Sequence, residues 1–273
     1  MTPQSIVRQS FWWLALSFCS VAHAQSPAQK ALARVNYHRQ MAGVKPVVLD
    51  ANLSSGCSLH ARYLHRNRHL PETRDLRSHT ENPNRPGYTK EGARAAKSSV
   101  IAYVSDPVRA VDDLMGSLYH RLPLLREGLT AIGSGTAGSI TVLDCISMWN
   151  RPEITPISYP GANQTHVPLR FVPENPNPVP GSPERAGYPI TLQFRPYGQK
   201  LTSVGATLVA KGRPVPFHLS HPQKPASDFD QQNAICLIPK RHLIPGQKYT
   251  VTIVASVDGQ PFKRQWSFTT AVR

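Results

Sequence analysis

Two histidines and two glutamates bracket one amphipathic stretch of this chain. His79, Glu81 and Glu91 stand at its start, and Ser117 and His120 close it. Imidazole and carboxylate together can bind a divalent cation or move protons near neutral pH. Nucleophile motifs that would turn such a set into a hydrolase are missing. There is no Gly-x-Ser-x-Gly, no His-Glu-x-x-His, and no Cys placed beside a matching His. The residue pattern therefore favours binding over covalent catalysis. Plainer readings stand beside it. Glu91 can cap or solvate a helix start, and His120 can sit at a helix end among carbonyls. His60, on a helix face with Cys57 and Leu64, reads as a satisfied, partly buried histidine. Asp112 and Asp113 read as solvent-facing.

The elements that must position these groups are well signalled. Ser26-Pro27-Ala28-Gln29 is a capping box with Pro at the first helical position, and Gly43 is a natural stop. Val47 to Leu49 form a short apolar connector. Asp50 can cap a second helix carrying Leu53, Cys57 and Leu64 at helical spacing. Residues 67–89 are polar and broken by Pro71, Pro83 and Pro86, which reads as a long functional loop. Asp106-Pro107 opens a further helix, with His120 expected at its C-terminal end. Gly133-Ser134-Gly135 reads as a turn and Ser139 to Ile146 as a strand. Prolines crowd after Arg151 and helical periodicity disappears. Strands are expected at 167–172, 190–194, 206–210, 234–238, 249–257 and 265–270, the last two joined by a hairpin at Asp258-Gly259. Short strands between Pro/Gly turns argue for a small β-sandwich.

Composition narrows the functional classes. The chain has 273 residues and 40% hydrophobic residues, enough for about two packed domains. Its formal charge is +15, from 31 Lys plus Arg against 16 acids. The bases are dispersed, without an Arg-rich arm or a nucleic-acid module. An anionic polymer or lipid surface of the cell envelope is the favoured partner, and nucleic acid is disfavoured. Arg8, the apolar run Phe11 to Val21, and Ala22-His23-Ala24 read as a signal peptide over residues 1–24. The apolar run is too short for a membrane span, so no transmembrane segment is expected after signal cleavage. A secreted or periplasmic protein is the expectation. Cleavage removes Cys19 and leaves Cys57, Cys145 and Cys236. An oxidising compartment permits one bond, with Cys57–Cys145 the pairing inside the first part and Cys236 a buried free thiol in the second.

With these residues on the page, the first part resembles the bacterial branch of the CAP superfamily, the cysteine-rich secretory, antigen 5 and pathogenesis-related 1 proteins. Asn36-Tyr37-His38-Arg39, Gly43-Val44-Lys45-Pro46, Asp50, Leu53, and Cys57 to Leu64 carry the resemblance. So do His79, Glu91-Gly92-Ala93, Ser117-Leu118-Tyr119-His120-Arg121 and Ile132-Gly133-Ser134-Gly135, in the same order. It implies an α+β protein: an α-β-α sandwich over residues 25–150. Residues 151–273 then form a Pro-rich linker and an all-β sandwich that looks like a bacterial immunoglobulin-like module. The resemblance also implies a cleft of two His and two Glu that holds a divalent metal such as zinc in some members. His79, Glu91 and His120 match three positions, Glu91 in an altered Glu-Gly-Ala context. Ser117 stands at the second Glu position, and Glu81 is a loop carboxylate that could supply the missing oxygen. The implied function is a secreted binding or interaction module. The alternative is a metal- or His/Glu-dependent hydrolase of envelope substrates.

Overall fold

The computed structural model describes residues 24–150, 156–196 and 198–272. The expected signal peptide, apart from Ala24, and the first residues after Asn150 lie outside the described residues.

Helix α1 (Pro27–Met41) begins as its sequence demands. Ser26 Oγ accepts the Gln29 N–H at 3.2 Å, and Gln29 Oε1 accepts the Ser26 N–H at 2.9 Å. A two-residue strand, β1 (Val48–Leu49), leads to α2 (Ala51–Arg66), capped by the Asp50 carboxylate on the Leu53 N–H at 2.8 Å. The stretch read as a loop contains two 3-10 turns, Pro71–Thr73 and Asp75–His79. Then come α3 (Lys90–Lys97), β2 (Ser99–Ala102), α4 (Pro107–Met115), α5 (Arg121–Leu125), β3 (Ala131–Ala137) and β4 (Ile140–Asp144). The sheet order is β1-β3-β4-β2, with β1 parallel to β3 and the other pairs antiparallel.

Alternation along these strands separates two faces. Ile101, Ile140 and Val142 pack with Cys57, Ala61 and Leu64 of α2 and Ala95 of α3. Val100, Ala102, Ile132 and Leu143 pack with Ala31 and Val35 of α1 and Val111 of α4. The first part is thus an α-β-α sandwich. Gly133 and Gly135 are not in a turn; they lie inside β3. A β-carbon at Gly133 would collide with the Leu53 backbone, and one at Gly135 with Cys57 and Ser58. The glycines let α2 lie directly on the strand.

The second part is β5 (Ile157–Tyr159), β6 (Ile190–Gln193), β7 (Leu201–Ala210), β8 (Arg213–Pro214), β9 (Phe217–Ser220), β10 (Ala234–Pro239), β11 (Lys248–Val257) and β12 (Gln260–Thr269). They form two antiparallel sheets, β5-β6-β10-β9 and β12-β11-β7-β8. Ile190, Leu192 and Ile235 of one sheet share a core cluster with Leu208, Val251 and Phe268 of the other. That arrangement is compatible with a β-sandwich. The Asp258-Gly259 hairpin has positive φ at both residues, 51° and 83°. Residues 167–172 form only isolated bridges, Val167 with Thr270 and Arg170 with Gly187.

The cluster that fills the sandwich continues into the α1/α4 side of the first part, through Tyr159 and Tyr188. Arg121 is wholly buried there. Its guanidinium lies 4.9 Å and 4.7 Å from the Tyr159 and Tyr188 ring centroids, and it donates to Met115 O and Pro189 O. Cys57, Cys145 and Cys236 are buried and all free, so the expected Cys57–Cys145 bond is not formed. Burial pushes the Cys57 and Cys236 thiols up to about 12 and raises Cys145 as well, which keeps all three protonated.

Candidate functional site

His79 ends the second 3-10 turn, and His120 stands immediately before α5. Both line one cleft of about 420 Å³. Val100 and Leu122 give it an apolar floor, and Lys97 from the last turn of α3 brings an ammonium. The second part also lines it, through Phe229 and Asp230 between β9 and β10. Tyr119 ties the walls together. Its ring meets Phe229 edge to face at 5.0 Å, and its hydroxyl is 2.7 Å from Ser227 Oγ.

His79 Nδ1 lies 3.1 Å from Ala96 O, a carbonyl that can only accept. Burial lowers the pKa of His79, and the nearby rings of His120 and His60 lower it further; the Ala96 hydrogen bond works in the opposite direction.

His120 is not at the end of a long helix. After α4 the chain turns through residues 116–120, and the carbonyls expected around the ring are replaced by a carboxylate. Glu174 reaches in from the second part with its side chain 1% exposed, and its Oε2 accepts from His120 Nδ1 at 2.8 Å. The same carboxylate accepts the backbone N–H groups of Leu118, Tyr119 and His120. Ser117 is buried beside it and donates to Leu114 O at 2.8 Å. Its hydroxyl is 3.3 Å from His120 Nδ1, the nitrogen already engaged by Glu174. A serine nucleophile needs the opposite ring nitrogen, so these three residues do not form a catalytic triad.

The glutamates near the N-terminal end of the stretch go elsewhere. Glu81 Oε1 is 2.9 Å from His60 Nδ1, both side chains having no exposure, and His60 Nε2 donates to Ser78 O. Glu81 Oε2 also accepts the Thr89 N–H at 3.1 Å. It therefore holds the loop over α2 and the start of α3. Glu91 is exposed in the first turn of α3 and does not line the cleft. The structure thus brings His79 and His120 together, places Ser117 behind His120, and leaves Glu81 and Glu91 outside. Two imidazoles fit half of a tetrahedral zinc set, and Glu91 adds no oxygen to them.

Sequence reasoning missed Glu174, because its Pro-Glu-Asn-Pro surroundings carry no local signal. It also undervalued Asp112. His38 bridges Tyr159 Oη at 2.6 Å and Asp112 Oδ1 at 2.8 Å, and Arg34 Nε donates to the same oxygen at 2.6 Å. Burial alone would raise the Asp112 pKa, but His38 and Arg34 hold it low. Burial keeps His38 below the ordinary imidazole value.

No helix among the described residues is long and apolar enough to cross a membrane. No curated protein matches the chain. Residues 32–140, within the α-β-α part, match the model of the cysteine-rich secretory protein family, CAP.

Proposed function

We propose that this is a secreted or periplasmic binding protein whose CAP cleft, walled by an immunoglobulin-like second part, holds its ligand at His79 and His120. The observation that carries the reading is that two imidazoles and residues of the second part line one cleft. Lys97 and the basic charge of the chain suit an anionic envelope ligand, polymer or lipid headgroup. A divalent metal such as zinc would be held by the two rings, with positions left for water or ligand. When bound, such an ion would supply Lewis acidity; the chain's own groups orient the rings and furnish the walls.

Zinc titration of the mature protein by calorimetry tests this. One site is expected at neutral pH. It should be lost in His79→Ala and His120→Ala. Binding that survives both substitutions would sink the reading. A second reading, a His/Glu hydrolase, draws on the His120–Glu174 pair, an imidazole backed by a carboxylate as in general-base sites. Hydrolysis of an envelope polymer that disappears in His120→Ala would promote it over the binding reading.

A further inference from the structure

The Glu174 carboxylate does more than fill space. Its Oε1 accepts the Leu118 N–H at 2.5 Å and the Tyr119 N–H at 3.2 Å. Its Oε2 accepts from the Tyr119 N–H at 3.0 Å and from His120 Nδ1 at 2.8 Å. Among the described residues its ion-pair partner is His120 alone. An ionised carboxylate can only accept, so the proton between them belongs to Nδ1. The neutral ring must then carry its lone pair on Nε2. His79 is set the same way, because its Nδ1 faces the Ala96 carbonyl. Neither Nε2 has a hydrogen-bond partner among the described residues, and both rings line the same cleft.

We propose that Glu174 is the positioning residue that fixes His120 as an Nε2 lone-pair donor, so that the second part of the chain sets the chemistry of the CAP cleft. This rests on the reading that the cleft is the binding site. It also names what the cleft offers: two fixed imidazole lone pairs, the chemistry that a borderline divalent cation takes up and that a carboxylate behind the ring strengthens. The feature is particular to the way this chain is built. The carboxylate comes from outside the CAP domain, and it is pinned by backbone donors that leave it one orientation.

That pinning gives a sharp test. In Glu174→Leu the side chain offers His120 Nδ1 no acceptor, so the second part no longer holds the ring proton on that nitrogen and Nε2–H becomes populated. Long-range nitrogen–proton correlation spectra of the ¹⁵N-labelled full chain at pH 8.5 read the tautomer of each ring directly. The expected result is Nδ1–H for His120 and His79 in the wild type. In Glu174→Leu, Nε2–H should appear at His120 while His79 is unchanged. Zinc affinity of the variant should fall by about ten- to a hundredfold. A wild-type His120 with its proton on Nε2 overturns the proposal, whether or not the variant folds. So does a folded Glu174→Leu variant that keeps Nδ1–H alone, or one that gains Nε2–H and keeps its zinc affinity. A wild type that binds no zinc removes the metal from the proposed function, and the tautomer measurement alone then decides the role of Glu174.

Discussion

At the scale of single residues, burial decides which polar groups matter. Ser117 stands where the family resemblance places a second carboxylate, yet it is 2% exposed and its neighbour Glu174 already occupies the space beside His120. A glutamate there would bring a second negative charge against the first. Ser117→Glu is therefore expected to lower the melting temperature and weaken zinc binding, measured by thermal unfolding and calorimetry; tighter binding would contradict the geometry. Arg121 illustrates the same logic with a cation. Replacing it with Met leaves the carbonyls of Met115 and Pro189 without their donor, at roughly 1–3 kcal/mol for each. Urea unfolding should show a loss of about 2–6 kcal/mol, and Arg121→Lys should recover only part of it, since an ammonium lacks the fork that spans two acceptors. His79 and His120, picked out by their types, do line one cleft. Glu174 was not, since a glutamate between two prolines signals nothing until the chain has folded.

At the scale of elements, the sequence was most legible where local chemistry fixes the outcome. The Ser26 capping box, the Asp50 and Asp106 caps and the Asp258-Gly259 hairpin all form as their residues dictate. The misreading of Gly133-Ser134-Gly135 has a tertiary cause. Glycine is a turn residue in isolation, but here its missing side chain is what lets α2 approach β3. Gly135→Ala should thus cost about 3 kcal/mol, as overpacking against backbone cannot be relieved by a rotamer change. Gly43→Ala, with a φ of 73° and open space around it, should cost only about 1 kcal/mol. Equal losses in chemical denaturation would show that helix–strand approach is not the constraint. His120 was misplaced for a similar reason. The apolar period of α4 runs through Leu118, but Gly116 caps the helix, and Leu118, Tyr119 and Leu122 are drawn into a cluster with Phe171, Ala234 and Cys236.

At the scale of the whole molecule, the change of composition after Asn150 suggests two separate cores, whereas the buried side chains form a continuous cluster across the junction. We expect a single cooperative unfolding transition, with far-ultraviolet dichroism and tyrosine fluorescence superimposing. Two resolved transitions would point to independent halves. The junction should also respond to acid. His38 is held below its ordinary pKa in the fold, so the unfolded chain takes up the proton first as pH drops. Its contribution to stability is complete above the ordinary imidazole value of about 6.5 and is lost as pH falls from there towards the lowered folded value. The urea midpoint should accordingly be lower at pH 5 than at pH 7.5, with a smaller difference in His38→Gln. A midpoint that rises on acidification would reverse the sign assigned to this histidine.

The reach of Glu174 also has a consequence in time. Glu174 follows His120 by 54 positions, and Ser227 follows Tyr119 by 108. A chain leaving the ribosome from its N-terminus presents the whole CAP segment while the backbone donors at residues 118–120 still lack their acceptor and the Phe229 wall has not been made. The imidazole of His120 has no fixed tautomer at that stage, and the cleft is open on one side. The cleft is therefore complete only once residue 229 has been made. A product terminated before residue 174, even one with its α-β-α layers in place, would carry His120 without its carboxylate and the cleft without the residues of the second part that line it.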